Sequence, residues 1–330
     1  MARIFLTHTP DMLANYYGER AVGGLRKLGE VVINPTGVVL DARALSEAAR
    51  GCEIVVSDRQ TPGPADFFRT ASDVVAFLRC AVDIRTIDVD AASAAGVLVT
   101  RASPGFAASV AEMAVGMMVD LARGVSRSVI AYRRNEAPPV GMGRQLKGAT
   151  LGIMGYGAIG KHLAPLGAAL GMRVLIADPY QSVDDRAFSK VDLDTLLSES
   201  DFVVCLVVAN ADTENLMDAK ALAKMKRTAF FINLSRGNLV DEAALASALN
   251  RKQIAGAAMD VGRAPDQMPT PALAAREDVI ATPHIAGLTP EAIEHQALET
   301  VSQVRELIAG RIPSGAVNVD SASRLSRLKK

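Results

Sequence analysis

Three glycines with the spacing of a phosphate-binding turn lie near the middle of the chain. Gly155, Gly157 and Gly160 form the pattern G-x-G-x-x-G within "LGIMGYGAIGKHLAPLGAALG". An apolar run typical of a strand precedes them and a helical pattern follows, which is the context that such a turn requires. Gly155 would permit the tight turn, Gly157 the approach of a pyrophosphate, and Gly160 the close packing of helix on strand. The amides of Ala158 and Ile159, at the start of the helix, would then face the phosphate charge.

An acidic residue stands at the distance expected for a ribose ligand. Asp178 ends the next apolar run, in "VLIADPY", and the usual spacing from the first glycine is about 20 residues. Its carboxylate could accept both ribose hydroxyls of an adenosine and would repel a 2′-phosphate. The sequence therefore predicts NAD rather than NADP as the cofactor, and it predicts no metal site.

Two further side chains with useful chemistry stand where apolar runs end. His284 follows "DVIAT" within "TPHIAG", and Arg236 follows "FFIN". Imidazole can give or take a proton near neutral pH, and the planar, permanently charged guanidinium matches a carboxylate. Both are candidate site residues, because open parallel sheets bind ligands at the carboxyl ends of their strands. His8 follows "RIFLT" in the same way and ranks below His284.

The elements that must position these groups are strands and helices in alternation. Short apolar runs recur through both halves of the chain, and they are continuous rather than alternating. Such runs are typical of strands buried on both faces of a parallel sheet. Helical patterns separate the runs, so the sequence predicts an α/β fold with two doubly wound parallel-sheet domains. Long helices are expected at roughly 105–125 and 290–310.

Composition narrows the class of protein further. The 330 residues carry 36 basic and 36 acidic side chains, so nothing indicates a nucleic-acid or membrane-surface partner. No run of about 18 uncharged apolar residues exists, so no membrane span is expected. The start, "MARIFLTHTPDM", becomes polar too early for a secretory signal. Three cysteines lie far apart, which favours a reducing cytoplasm.

Several longer segments match one known group of proteins. They are "GVLVTRASPGFAASVAEMAVGMM", "GIMGYGAIGKHLA", "MKRTAFFINLSRGNLVDEAALASAL", "IAGAAMDV" and "TPHIAGLT". With these segments the chain resembles, over nearly its whole length, the D-isomer-specific 2-hydroxyacid dehydrogenase family. The resemblance implies a Rossmann NAD-binding domain (101–288) inserted into a flavodoxin-like substrate domain (1–100 plus 289–330). It also implies an active site in the cleft between the domains and a homodimer that pairs through the cofactor domains.

The resemblance also assigns roles to particular residues. Arg236 would bind the substrate carboxylate and polarise its 2-oxo oxygen, and His284 would be the acid/base. Asp260, which ends "GAAMD", would hold the nicotinamide carboxamide. The other cofactor contacts that it implies near the nicotinamide are at Leu234, Ser235, His284 and Gly287.

The family's usual partner for the histidine is missing from this sequence. Family members place a glutamate five residues after the aspartate, in "DVF-x-x-E-P", where it hydrogen-bonds the histidine. Here the segment reads "DVGRAPDQMP", with Pro265 at the glutamate position and Gly262 at the phenylalanine position. Three explanations are open: Asp266 takes the role, another acid reaches the imidazole from the other domain, or His284 works without an anionic partner.

The substrate loop also departs from the family pattern. The matching stretch is "LRCAVDIRTID", in which Ala81 and Val82 would supply the amides that bind the carboxylate. Asp83 stands where a glycine is common, and an acid beside an anion site is costly unless it is neutralised. It either pairs with Arg79 or Arg85 or is the missing partner of the histidine. Three arginines near this edge could accept a second anionic group or stand in solvent: Arg79, Arg85 and Arg101.

Three functions are compatible with these residues. The sequence predicts an NAD-dependent oxidoreductase that interconverts a small 2-oxo acid and its D-2-hydroxy acid. The alternative is an NAD(H)-sensing binding protein, similar to the transcriptional corepressors that share this fold, and the lost glutamate favours it. A third possibility is oxidation of an inorganic anion, as in phosphite dehydrogenases. Those enzymes use a lysine in the substrate loop, and none stands at 79–90 here.

Overall fold

The chain forms two compact units. The computed structural model describes residues 2–138 and 140–328. The first unit contains the chain up to Gly105 and again from Pro290 onward, and the second is the continuous segment Phe106–Thr289. The boundaries between the units thus lie five residues and one residue beyond those expected at 100/101 and 288/289. The roles of the two domains stay predictions.

The first unit is built on a five-stranded parallel sheet. Its strands are β1 (Ala2–Leu6), β2 (Gly29–Ile33), β3 (Ile54–Ser57), β4 (Ala76–Arg79) and β5 (Leu98–Arg101). The helices between them are α1 (Pro10–Tyr16), α2 (Glu19–Arg26), α3 (Ala42–Ala48), α4 (Ala65–Thr70) and α5 (Val89–Ala94). The strand order β2-β1-β3-β4-β5 is that of flavodoxin-like sheets.

The second unit is built on a seven-stranded parallel sheet. Its strands are β6 (Thr150–Met154), β7 (Arg173–Ala177), β8 (Phe188–Lys190), β9 (Phe202–Cys205), β10 (Phe230–Asn233), β11 (Gly256–Met259) and β12 (Val279–Ala281). Its helices are α6 (Ala107–Arg123), α7 (Val125–Arg133), α8 (Ala158–Ala169), α9 (Leu193–Glu199), α10 (Ala219–Lys224), α11 (Glu242–Asn250) and α12 (Pro271–Ala274). The order β12-β11-β10-β9-β6-β7-β8 contains the Rossmann order and reverses direction between β6 and β9. The predicted fold class is confirmed.

The last helix returns the chain to the first unit. This helix is α13 (Pro290–Ile308), and its buried residues Ala297, Val301 and Val304 join the core formed by β1, β3 and β4. Short 3-10 turns follow at Val319–Ser321 and Ser323–Arg327. Among the residues that the structure describes, no helix is both long and apolar enough to cross a membrane.

Six of the strands are buried along their whole length, as the continuous apolar runs predicted. Every residue of β3, β4, β6, β9, β10 and β11 is buried, whereas the edge strands β8 and β12 are partly exposed. Each fully buried Val, Leu, Ile or Phe side chain favours folding by roughly 1.5–3 kcal/mol. The helix expected at 105–125 is α6, which ends at Gly124 because that glycine takes a left-handed conformation, with φ +66°.

Candidate active site

The glycine turn after β6 requires glycine at its first position. Gly155 has φ +93°, and a Cβ placed there would lie 2.8 Å from the main-chain oxygen of Leu206. Its N–H donates to the main-chain oxygen of Ala177 at 2.9 Å, which ties the turn to the end of β7. The backbone conformation and the close approach together exclude a side chain at this position.

The other two glycines differ in what surrounds them. A Cβ at Gly160 would overlap the main-chain oxygen of Gly155, so the first turn of α8 packs directly on the glycine turn. Among the residues that the structure describes, a Cβ at Gly157 would meet nothing within 4 Å, and no side chain caps the helix there. The first amides of α8, at Ala158 and Ile159, therefore begin an uncapped helix that faces open space. That arrangement suits an anionic ligand.

Asp178 is held beside this turn by three main-chain amides. Its carboxylate accepts the N–H groups of Tyr156 at 2.7 Å, Tyr180 at 2.7 Å and Gln181 at 2.9 Å. Burial raises the pKa of Asp178, but the three hydrogen bonds and Lys190 outweigh burial and lower it below its ordinary value. The carboxylate is therefore ionised at neutral pH and is fixed in orientation.

The turn after β10 carries Arg236 and is organised by a buried amide. Asn233, which ends the strand, accepts the N–H of Ser235 at 3.1 Å and donates to the main-chain oxygen of Arg236 at 2.9 Å. The hydroxyl of Ser235 donates to the main-chain oxygen of Val207 at 2.5 Å. Arg236 is half-buried, and its Nη1 donates to the main-chain oxygen of Ser235 at 2.7 Å. Asn233 was not singled out from the sequence, although it is the polar end of an otherwise apolar run.

The turn that carries His284 is held by Asp260. This buried carboxylate accepts the hydroxyl of Thr282 at 2.6 Å and the N–H groups of Ile285 and Ala286 at 2.8 Å and 2.9 Å. The N–H of His284 donates to the main-chain oxygen of Asp260 at 2.9 Å. His284 itself has φ +56°, an uncommon left-handed conformation for a residue with a side chain. Asp260 thus has a structural task besides the carboxamide contact, which stays a prediction.

The imidazole of His284 faces a main-chain oxygen. Its Nδ1 lies 2.9 Å from the carbonyl oxygen of Asp266. A carbonyl can only accept, so Nδ1 carries the proton, and Nε2 is the nitrogen left to exchange a proton with a ligand. Asp266 is therefore the neighbour of the ring, as one of the three explanations had it, but through its main chain rather than its carboxylate.

The substrate loop lies in the first unit, after β4. Asp83 pairs with Arg85, whose Nη2 donates to Oδ2 at 2.6 Å and whose Nε lies 3.0 Å from both carboxylate oxygens. Ala81 and Val82 are half-buried. Within the described residues, their N–H groups donate to no protein oxygen, so they are available to an anion.

The arginines near this loop have separate environments. Arg79 is fully buried, and it donates to the main-chain oxygen of Asp58 and, at 2.9 Å, to the hydroxyl of Thr86. Burial lowers the pKa of Arg79 to about 10, while Asp58 and Asp83 oppose that shift. Arg79 is therefore charged at neutral pH but cannot touch a ligand from its buried position, whereas Arg101 is exposed.

His8 is a buried neutral histidine. Only 1% of its surface is exposed, its ring centroid lies 4.6 Å from that of Tyr17, and its Nδ1 has no hydrogen-bond partner in the described part of the chain. Burial lowers the pKa of His8 to about 4. The ring therefore stays uncharged at neutral pH, which suits packing better than proton transfer.

These features define a class of protein. It is an α/β protein whose second unit has the Rossmann strand order and, at the N-terminus of α8, a site suited to a dinucleotide. Comparisons with known proteins define it further. A family model described as "D-isomer specific 2-hydroxyacid dehydrogenase, NAD binding domain" matches residues 115–286.

Similar sequences and structures carry related names. The chain is 35% identical to the (S)-sulfolactate dehydrogenase of Chromohalobacter salexigens over 305 residues, which cover 91% of this chain and 98% of that protein. It is 37% identical to the D-3-phosphoglycerate dehydrogenase of Synechocystis sp. over 73% of this chain, but that match spans only 44% of the relative. The NAD-complexed D-isomer-specific 2-hydroxyacid dehydrogenase from Lactobacillus delbrueckii ssp. bulgaricus superimposes with a TM-score of 0.82 at 25% identity, covering 96% of this chain and 100% of that one.

The chain therefore belongs to the D-isomer-specific 2-hydroxyacid dehydrogenase family. The cofactor predicted from the sequence, NAD, and the enzyme class, an oxidoreductase of this family, are confirmed.

Proposed function

We propose that the chain interconverts a small 2-oxo acid and its D-2-hydroxy acid with NAD. The observation that carries this proposal is the turn at His284. Asp260 fixes its main chain through three hydrogen bonds, and the Asp266 carbonyl binds Nδ1 of its ring, which leaves Nε2 for proton transfer. A histidine with only a packing role would not require both constraints.

The dinucleotide fits the second unit. The open space at Gly157, the uncapped amides of Ala158 and Ile159, and the ionised Asp178 would hold its pyrophosphate and its adenosine ribose. When bound, the dinucleotide would supply hydride chemistry, with NAD⁺ as the acceptor from the hydroxy acid and NADH as the donor to the oxo acid. Asp178 would also disfavour a 2′-phosphate, so we propose a preference for NAD over NADP.

Arg236, on its braced turn, would bind the carboxylate of the substrate and polarise the neighbouring 2-oxo oxygen through charge-assisted hydrogen bonds. In the first unit, the amides of Ala81 and Val82 suit an anionic group, and we propose them as substrate-binding groups. Asp83 is no obstacle to this, because its pairing with Arg85 offsets its charge.

His284 would move the proton. In reduction, its Nε2 would donate a proton to the oxygen of the 2-oxo acid, and in oxidation it would take the proton of the hydroxyl. The carbonyl of Asp266 would keep the remaining ring proton on Nδ1 in both directions.

Substrate turnover tests the proposal. NADH oxidation would be followed with glyoxylate, hydroxypyruvate, phenylpyruvate, oxaloacetate, 3-sulfopyruvate and 3-phosphohydroxypyruvate. We expect turnover of at least one of them, and a loss of roughly 10²- to 10⁴-fold in kcat/KM for His284→Gln. The matched control is His295→Gln, a half-exposed histidine on α13, which should retain activity. NADH binding without turnover of any compound would instead favour the NAD(H)-sensing alternative.

We also propose that the chain is a homodimer paired through its second unit. On α7, Val125, Val129 and Tyr132 share one face and are 50%, 41% and 69% exposed. Met142, in the segment that follows, is fully exposed. Large apolar side chains exposed together on one helix face are typical of a protein contact. Light scattering after size exclusion should give a dimer for the wild type and a monomer for Val129→Glu, whereas Val38→Glu, in the first unit, should remain dimeric.

A reducing compartment such as the cytoplasm is proposed from the cysteines. Cys52, Cys80 and Cys205 are all buried and free. Burial raises the pKa of Cys80 and of Cys205 to about 12, which keeps both thiols protonated and unreactive. Fractionation of cells that express the chain would test this location.

A further inference from the structure

The segment at residues 262–270, here called the carbonyl loop, brings the main-chain oxygen of Asp266 to the ring of His284. We propose that Arg263 and Glu242 are positioning residues for proton transfer: they hold the carbonyl loop so that a neutral carbonyl takes the place of the usual carboxylate partner. The inference rests on the proposed role of His284 as the acid/base.

The carbonyl loop holds an unfavourable conformation. Asp266 has φ +58° and Gln267 has φ +57°, and two consecutive left-handed residues with side chains are uncommon. The Oε1 atom of Gln267 is also buried without a hydrogen-bond partner in the described chain. Such a conformation persists only when the surroundings determine it, so the loop requires external ties.

Arg263 supplies the first set of ties. Its side chain donates to acceptors in two segments: residues 238–240, which follow the Arg236 turn, and residues 214–215, which lie between β9 and α10. The acceptors of Nε and Nη2 are the Val240 oxygen at 3.1 Å, Glu214 Oε1 at 2.9 Å, Asn215 Oδ1 at 2.7 Å and the Asn238 oxygen at 3.0 Å. A planar guanidinium that is shared among so many acceptors fixes the start of the loop in direction as well as in place.

Glu242, at the start of α11, ties both ends of the loop to one side chain. Its Oε1 accepts the N–H of Arg263 at 3.0 Å, and its Oε2 accepts the hydroxyl of Thr270 at 2.8 Å. Inside the loop, the N–H of Gly262 donates to the main-chain oxygen of Gln267 at 2.7 Å. These hydrogen bonds close the loop at its base and thereby fix the direction of the Asp266 carbonyl.

The base of the loop rests on the turn that carries Arg236. A Cβ at Gly237 would overlap the main chain of Gly262, and a Cβ at Gly262 would overlap Pro269. The position at which the family has a phenylalanine must thus be a glycine here. The turn that carries Arg236 and the loop that carries the partner of His284 are consequently in direct main-chain contact.

The replacement of a carboxylate by a carbonyl has a chemical consequence. Both groups accept a hydrogen bond from Nδ1 and fix the tautomer, but the carbonyl carries no net charge and stabilises the imidazolium less. In this chain, the orientation of the imidazole must therefore depend on the position of the carbonyl rather than on attraction to a charged carboxylate. Any displacement of the loop releases the ring, because no charge attraction remains to restore it.

Two variants test the positioning role. Arg263→Gln removes the guanidinium bonds to residues 214–215 and 238–240, and Glu242→Gln weakens the bonds to both ends of the loop. For each we expect a loss of roughly 10- to 100-fold in kcat, the range typical of residues that orient a functional group through another, with the KM for NADH little changed. The matched control is Arg276→Gln, which removes an arginine bonded to Asp278 and Asn250 elsewhere in the second unit and should leave kcat unchanged.

The tautomer of His284 gives a readout that a merely structural role would not move. The chain has four histidines, so ¹⁵N NMR of histidine-labelled protein can resolve their ring nitrogens. The wild type and Arg276→Gln should show His284 protonated at Nδ1, whereas Arg263→Gln should populate the Nε2-protonated form. An unchanged tautomer together with unchanged kcat in folded Arg263→Gln would overturn the inference.

The outcomes can be separated from those for the proposed function. If the wild type reduces none of the 2-oxo acids, the proposed function fails, and the NMR comparison still decides whether the loop orients the ring. If Arg263→Gln does not fold, Arg263→Lys keeps the charge but cannot reach all the acceptors. That variant should show an intermediate loss of kcat and a mixture of tautomers, and a wild-type tautomer in it would overturn the inference.

Discussion

His8 is a buried, uncharged histidine, and its replacement by phenylalanine should make the protein more resistant to acid. Burial lowers the pKa of His8 to about 4; Asp58 raises it and Arg79 lowers it further. Asp58 does not rescue the ring, because its carboxylate already accepts the hydroxyls of Thr7 and Thr61 at 2.6 Å and 2.5 Å. Phenylalanine keeps the ring contact with Tyr17 and removes the titration.

The size of the effect follows from proton linkage. In the unfolded chain, His8 binds its proton near pH 6.5, whereas in the folded chain it does so only near pH 4. Between these values the unfolded state holds more protons, so the free energy of unfolding falls as the pH falls. At pH 5 the unfolded state gains a factor of about 30, or about 2 kcal/mol, and at pH 7 the effect is below about 0.2 kcal/mol.

Urea unfolding followed by circular dichroism at pH 7 and pH 5 measures this effect. The loss of stability between the two pH values should be smaller in His8→Phe than in the wild type by about 2 kcal/mol. His162→Gln is the control, because it also removes a histidine, but one that is exposed on α8. Parallel losses in His8→Phe and the wild type would refute the reasoning, since they would mean that the buried ring takes up its proton as readily as an exposed one.

Three further substitutions test other contacts. Asp260→Asn leaves at least one buried donor of the His284 turn without its acceptor. It should therefore lower the free energy of unfolding, measured by urea unfolding, by about 1–3 kcal/mol and also reduce kcat. A wild-type free energy of unfolding and kcat would contradict the bracing role. Asp178→Asn removes a charge-assisted acceptor, so it should weaken NADH binding, measured by fluorescence titration, about tenfold. It should also reduce the preference for NADH over NADPH. An unchanged preference would show that the carboxylate is not the cause of that preference. Arg79→Lys cannot bond both Asp58 and Thr86, so the substrate loop should loosen and raise the KM for the 2-oxo acid in steady-state assays, while an unchanged KM would show that the loop does not depend on this tether.

The fold could be predicted from local patterns because its information is local. Continuous apolar runs such as "FFIN" encode buried parallel strands, and they recur as β10 and its neighbours. The glycine turn was equally readable, since Gly155 and Gly160 meet steric demands set by residues close in sequence and by the packing of one helix on one strand. Asp178 could be predicted as well, because its distance in sequence from the glycine turn is set by the same strand–helix–strand unit.

The partner of His284 could not be predicted in the same way. The sequence shows that the usual glutamate is missing and makes Asp266 a candidate to replace it. The type of residue at position 266 does not reveal that its main-chain oxygen, rather than its side chain, contacts His284. That contact depends on two left-handed residues whose conformation is fixed by Glu242 and Arg263. Glu242 is distant in sequence from the carbonyl loop, and its use there becomes visible only in three dimensions.

The interrupted first unit has a consequence for how the protein is made. Ala297, Val301 and Val304 of α13 belong to the same apolar core as Ile4 and Leu25, and the hydroxyl of Tyr17 lies 2.8 Å from that of Thr300. A ribosome therefore delivers the first five strands long before the helix that covers them. The apolar surface that α13 later covers therefore stays exposed while the whole second unit is synthesised. During that interval the first part of the chain can aggregate or bind a chaperone.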